Sequence, residues 1–382
     1  MRHQFQLEPR DLLFLRDARP MGGSDAGLGA NWPRPDQLWN ALINAFHRAW
    51  PERQDWEGAA HNKTGKEKER ENRRGVQSSD RFGALKTIGP FPFEAKTGSV
   101  YYPAPLDADM EIVPCPGTDL PAPLACAFRA KTSEKLEPRH WFSAGEYQNY
   151  LKGEGAAGKE REPALYDGER KLGIAIDAGA GVAVEGKLYQ AEYLRLRAGV
   201  SLAFDASCDI NPKGDPGAID VFEKFGVPRE LLIGGQQGVV RLLKADFSWI
   251  EPPRITSRQL RWTLLAPAVF LAGWLPGWCA DSRKIPGAEK TEPGRVMLKD
   301  CRFATLTAAR VGKPLAFSGW DLRNGPKPTL LAVPAGSCYV FDCGAAENAQ
   351  LLADRLNFKP YSDRFGEKGF GIGVCSSVEG SG

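Results

Sequence analysis

Glycine and proline punctuate this chain from end to end. With 42 glycines and 29 prolines in 382 residues, it favours many turns and short strands over long helices. The length allows two or three domains of ordinary size, and an apolar fraction of 42% is enough to fill their cores. The punctuation is densest near the C-terminus, where Gly369, Gly371 and Gly373 alternate with Phe370, Ile372 and Val374. That alternation has strand period, yet glycines weaken a strand. They serve instead where backbones approach closely, where φ is positive, or both. Arg364 and Lys368 flank the run, which suits an anionic visitor. A glycine-rich hairpin at a sheet edge is the plainer reading.

The formal charge is only +3, so any nucleic-acid surface must be a local patch. Eight cysteines show no CxxC pair and no Cys/His zinc spacing. No secretory leader pattern follows Met1, so reduced thiols in a cytoplasmic protein are expected. The longest apolar run, Trp262 to Phe270 and on to Trp274, is short and broken by proline, which argues against a membrane partner.

Along the chain, Gln4 to Leu7 alternates as a first strand. Arg10, Arg16 and Arg19 then interleave with Asp11 and Asp17, ahead of a loop carrying Gly22, Gly23, Gly27 and Gly29. Local Arg–Asp pairs bracing a turn explain this stretch; so do guanidiniums presented to phosphates beside a loop. Asp36 opens a helix with Leu38, Leu42, Ile43 and Phe46 at helical spacing. Residues 55–80 are a strongly polar, charged insertion, read as exposed or disordered. The proline-rich stretch 103–125 reads as irregular, and 143–151 as a helix. A dense set of strands follows from Leu172 to Asp205, then a glycine-rich hairpin over Leu231–Leu242. Pro252-Pro253 marks a boundary near residue 250. Beyond it come strands at 259–265, 303–310, 315–317 and 337–343, a helix at 345–356, and the terminal glycine run with a last strand.

Strand–helix–strand–strand–helix–strand, read twice, is the ferredoxin-like order. The expected fold class is therefore α+β, with two ferredoxin-like (RRM-like) domains carrying long loop insertions. Residues 1–250 form the first and 251–382 the second.

Four stretches, in order, carry a resemblance to a known family. They are Glu8-Pro9-Arg10-Asp11 with Arg16-Asp17-Ala18-Arg19-Pro20; Gly173-Ile174-Ala175-Ile176-Asp177 through Glu192-Tyr193-Leu194-Arg195-Leu196; Leu232-Ile233-Gly234-Gly235; and Ala332-Val333-Pro334-Ala335-Gly336-Ser337 with the terminal glycine loop. Together they resemble the RAMP proteins of CRISPR systems, specifically the third subunit of the type III-B (Cmr) effector. The insertion at 55–80 looks longer than that family needs. The resemblance implies a non-catalytic subunit in antiviral defence. It would grip the 5′ handle of the guide (CRISPR) RNA, anchor the large polymerase/nuclease-like subunit and adjoin the RAMP backbone subunits. The expected RNA contacts are Arg10, Arg16, Arg19, Arg364 and Lys368, with Gly369, Phe370, Gly371 and Gly373. No cofactor and no metal are expected.

Two rivals stand beside this reading. A RAMP-type endoribonuclease processing precursor guide RNA would want a histidine acid–base pair. Of the four histidines, His3 is terminal, His47 lies on the first helix and His61 sits in the insertion, leaving His140 to test. Asp205-Ala206-Ser207-Cys208-Asp209 offers a metal site on paper, and a strand-end turn explains it as well. No HD, HExxH, Walker A or GxSxG pattern occurs, so no enzyme is expected. The second rival is a pure scaffold that never touches RNA.

Overall fold

The computed structural model describes residues 1–15, 32–49, 84–117, 119–133, 139–154, 162–177, 179–210, 219–224, 226–235, 238–280, 294–298, 303–321 and 325–378. The charged insertion at 55–80 lies outside them. The architecture is α+β, with mostly antiparallel sheets and few helices.

A seven-stranded sheet dominates the N-terminal part, in the order Glu230–Ile233, Gly238–Lys244, His3–Pro9, Val200–Ser207, Lys86–Glu94, Ser99–Pro103 and Trp141–Ser143. Its four central strands therefore run fourth, first, third, second by sequence. The first strand alternates strictly. Phe5 and Leu7 are fully buried, while Gln4, Gln6 and Glu8 lie on the opposite face. Helix Pro35–Ala49 covers the apolar face. Its Leu38, Leu42 and Phe46 share one core with Phe5, Leu7, Leu202 and Phe204.

A five-stranded sheet follows in the order Arg295–Met297, Phe303–Arg310, Cys338–Asp342, Gln259–Leu264 and Gly373–Ser377. Its last four strands repeat the pattern, running second, third, first, fourth. Helix Ala346–Leu356 buries Ala349, Leu352, Ala353 and Leu356 against Leu260, Trp262, Leu306 and Phe341.

The two sheets share a third core. Phe91, Tyr102, Tyr147, Phe247 and Ile250 pack in one cluster with Leu265, Ile372 and Val374. Helix Ala144–Lys152 supplies much of this contact. It starts at a capping box in which Ser143 Oγ accepts the Glu146 N–H at 3.3 Å and Glu146 Oε2 accepts the Ser143 N–H at 2.8 Å. At the seam, Arg261 Nη1 donates to Asp107 Oδ2 at 2.9 Å, and Tyr150 Oη donates to Asp107 Oδ1 at 2.7 Å.

Two stretches differ from the sequence reading. The proline-rich segment expected to be irregular contains a hairpin, Met110–Pro114 with Cys126–Ala130. Its Ile112 and Phe128 pack on Ala308 and Val340 of the second sheet, and that cover outweighs the local turn signals. The strands after residue 165 also form one long hairpin, Tyr166–Ile176 with Ala183–Leu196, tied to the body through Leu13–Phe14.

Candidate nucleic-acid interface

The polar face of the first strand opens onto a cavity of about 320 Å³ at the strand's C-terminal end. Strand period carries Gln6, Glu8 and Arg10 to this face together. Ser201 adds to the floor, its hydroxyl donating to Gln6 Oε1 at 3.4 Å. The turn Arg195–Gly199 and Ala95 close the other wall. Three arginines line the cavity, Arg10, Arg195 and Arg197, against two carboxylates, Glu8 and Asp11.

Each arginine is held by a carboxylate that is not part of the lining. Arg10 pairs with Glu230 and Arg195 with Glu169, while Arg197 grips Asp167 with two hydrogen bonds of 2.9 and 2.8 Å. Arg195 also lies 3.5 Å from Asp11, and Glu8 pairs with Arg241. The hydrogen bonds from Arg197 hold the Asp167 carboxyl below the usual carboxylate range, and those from Arg195 do the same for Glu169. All three arginines are exposed, at 63%, 48% and 49%. Exposed, solvent-screened pairs of this kind hold their partners weakly, so a phosphate can displace the carboxylate while the guanidinium stays in place.

Of the expected contacts among the described residues, only Arg10 is brought here. Arg16 and Arg19 lie outside the described residues. Residues 364–373 do not line the cavity. Phe370 is fully buried, stacked on Phe317 at 5.5 Å. Lys368 is 8% exposed, with its ammonium 4.7 Å from the ring centre of Trp39 and 5.1 Å from that of Phe365. Burial lowers its pKa, against the pull of Glu367 and Asp36. The glycines are explained by packing within the chain. A Cβ on Gly369 would stand 2.7 Å from the Thr87 carbonyl, and one on Gly371 would stand 2.5 Å from the Ser362 nitrogen. Gly373 backs onto the Trp262 indole. The loop packs against the chain's own first helix and the Lys86–Glu94 strand, so Lys368 and the glycine backbone are engaged within the chain. Arg364 is half-buried and bridges through its backbone to Val269.

Sequence reasoning missed Arg195 and Arg197 as lining residues of this cavity. The available signal was their two-residue spacing, which sets both opposite the apolar Leu194 and Leu196.

His140 is 70% exposed, with its Nδ1 3.6 Å from Glu162. One group of the described residues has metal-ligand chemistry: His3, Asp220 and Glu223 place ligand atoms within 4.8 Å of one another. His3 Nε2 lies 2.7 Å from Asp220 Oδ2, and Asp220 Oδ1 caps the next turn by accepting the Phe222 N–H at 2.9 Å. These contacts make it a brace at the start of the first strand. Asp205, Cys208 and Asp209 form no such group.

The CRISPR-associated protein family Cas_Cmr3 matches residues 5–376. The chain belongs to that family. Membership makes it a RAMP-like subunit of type III CRISPR effectors. No curated protein matches. Among solved structures, a chain of the type III-B Cmr-beta complex bound to cognate target RNA is similar at TM-score 0.46 and 15% identity, over 88% of this chain and 86% of its own. A chain of the Csm3–Csm4 subcomplex of a type III-A interference complex gives TM-score 0.41 and 12% identity, over 89% and 94%. A chain of the Csm1–Csm4 cassette with AMPPNP gives 0.35 and 14%, over 88% and 87%. No helix among the described residues is long and apolar enough to cross a membrane.

Proposed function

We propose that this Cas_Cmr3-family chain is a non-catalytic RNA-binding subunit of a type III-B CRISPR effector. It grips the 5′ handle of the guide RNA, anchors the large polymerase/nuclease-like subunit and adjoins the RAMP backbone subunits. The strand orders of the two main sheets support reading them as two ferredoxin-like domains, with the boundary near residue 250. Sheets of this kind serve as RNA platforms.

The observation that carries the RNA role is the convergence of Arg10, Arg195 and Arg197 on one cavity beside the first strand. Their planar forks each suit two phosphate oxygens. The test is binding of handle-sequence RNA at several salt concentrations. Arg195→Ala and Arg197→Ala should each weaken binding and flatten the salt slope by about 0.7 for every phosphate left unneutralised. The variants should still melt like the parent, because the ion pairs they remove are exposed. Wild-type affinity and slope in both would remove the cavity from the RNA path. Co-purification with candidate partners, followed by sequencing of bound RNA, checks the handle and the large subunit. Metal-independent cleavage of repeat RNA that disappears in His140→Ala would overturn the non-catalytic role.

A further inference from the structure

The cavity is not a simple basic pocket. Glu8 reaches it from the first strand and Asp11 from the turn that follows, among Arg10, Arg195 and Arg197. A site evolved for phosphate alone gains nothing from carboxylates facing the same space, since like charges repel. Ionised carboxylates accept hydrogen bonds and cannot donate them. Their natural counterpart is a ligand group that donates. A ribonucleotide has both kinds of group within one unit, with phosphate oxygens to accept from guanidiniums and a 2′-hydroxyl to donate to a carboxylate. Deoxyribose lacks that donor.

Position supports the same division. The arginines are braced by Glu230, Glu169 and Asp167, which do not line the cavity. Neither lining carboxylate is needed to hold Arg10 or Arg197. Asp11 is 75% exposed and lies 3.5 Å from Arg195, whose nearer partner is Glu169. Glu8 lines the cavity and stands directly across from Arg241 on the neighbouring strand, whose guanidinium pairs with its carboxylate. Ser201 and Gln6 make the floor polar, so the cavity suits a sugar better than a bare apolar group.

We infer that the cavity reads the sugar: Glu8 and Asp11 accept from ribose 2′-hydroxyls while the arginines hold the adjoining phosphates, so this chain selects RNA over DNA at this site. The inference rests on the cavity being the RNA interface. The experiment uses the full-length chain and three probes of one handle sequence: single-stranded RNA, the same RNA with 2′-O-methyl groups, and single-stranded DNA. Wild type should bind the RNA about tenfold more tightly than either of the other two, the loss expected for a hydrogen bond to a charged group. Glu8→Gln and Asp11→Asn should narrow that preference, with no comparable loss of DNA binding. The arginine variants should weaken all three probes alike. Equal binding of the three probes by wild type, with the arginine variants still defective, would overturn sugar readout and leave the interface standing. Intact binding in the arginine variants would instead overturn the interface itself. Should a carboxylate variant fail to fold, the comparison of probes on wild type still decides.

Discussion

Asp205 lies on the central Val200–Ser207 strand with 2% of its surface exposed. Burial pushes its carboxyl up to about 6, against the Trp249 indole N–H that donates to it at 3.0 Å and Arg2 at 3.8 Å. The folded state therefore binds this proton more tightly than the unfolded chain does. Its stabilising contribution is full below the ordinary carboxylate range and is lost as pH rises through about 6. At neutral pH the fold carries a buried charge costing at most about 3 kcal/mol. Asp205→Asn keeps the acceptor for Trp249 and removes the charge. Urea titrations from pH 4 to pH 8 should show the variant gaining on wild type as pH rises, with the gain appearing around the titration of Asp205. Parallel profiles would refute the assignment. No reading of the sequence alone finds this residue's role: Asp205 stood there as a possible metal ligand, and only packing reveals it as a desolvated acid.

At the scale of elements, the long hairpin divides into a base and an overhang. At the base, Leu194 is 4% exposed and packs in the first core with Tyr166 and Leu196 against it. Further out on the same strand face, Leu172, Ile174 and Ile176 are 69%, 52% and 64% exposed. Replacing these three by threonine should shift the melting midpoint little, because exposed sites usually change stability by less than about 0.5 kcal/mol. Leu194→Ala should cost on the order of 2–5 kcal/mol. Thermal melts of the two variants compare them directly; a large loss from the outer triple would mean that the stripe is covered. Elements of this kind were legible where one period ruled. The alternation of residues 4–7, the helical spacing after Asp36 and the helix read over 143–151 each appear where the sequence put them. The hairpin at Met110–Pro114 and Cys126–Ala130 was not legible, since only contact with Ala308 and Val340 orders so proline-rich a stretch. The arginine cavity was half legible: Arg10 stood out in its local pattern, while Arg195 and Arg197 arrive from almost two hundred residues away through strand pairing.

For the molecule as a whole, the question is whether a chain break near residue 250 separates independent folding units. The sheets themselves divide there, the first ending at Lys244 and the second beginning at Gln259. The cores do not. Phe247 and Ile250 sit inside the shared cluster, with Tyr102 and Tyr147 from one side and Leu265, Ile372 and Val374 from the other. Tyr150 and Thr263 lie 3.0 Å apart through their hydroxyls, and Arg261 stacks over the Tyr150 ring at 4.5 Å while holding Asp107. Removing one partner of a buried ion pair costs about 3–5 kcal/mol, and a split removes Arg261 from Asp107 along with a whole apolar face. The terminal loop adds a second tie, with Lys368 over Trp39 and its carbonyl accepting from Thr87 Oγ1 at 3.1 Å. Fragments 1–250 and 251–382 expressed separately should therefore aggregate or bind hydrophobic dye, and should recover a cooperative melt only when produced together. Size-exclusion chromatography and thermal melts of each fragment and of the mixture make the measurement. A cooperative transition in either fragment alone would show that its own sheet and helix suffice, and the shared core would then be an ordinary domain contact rather than part of one folding unit.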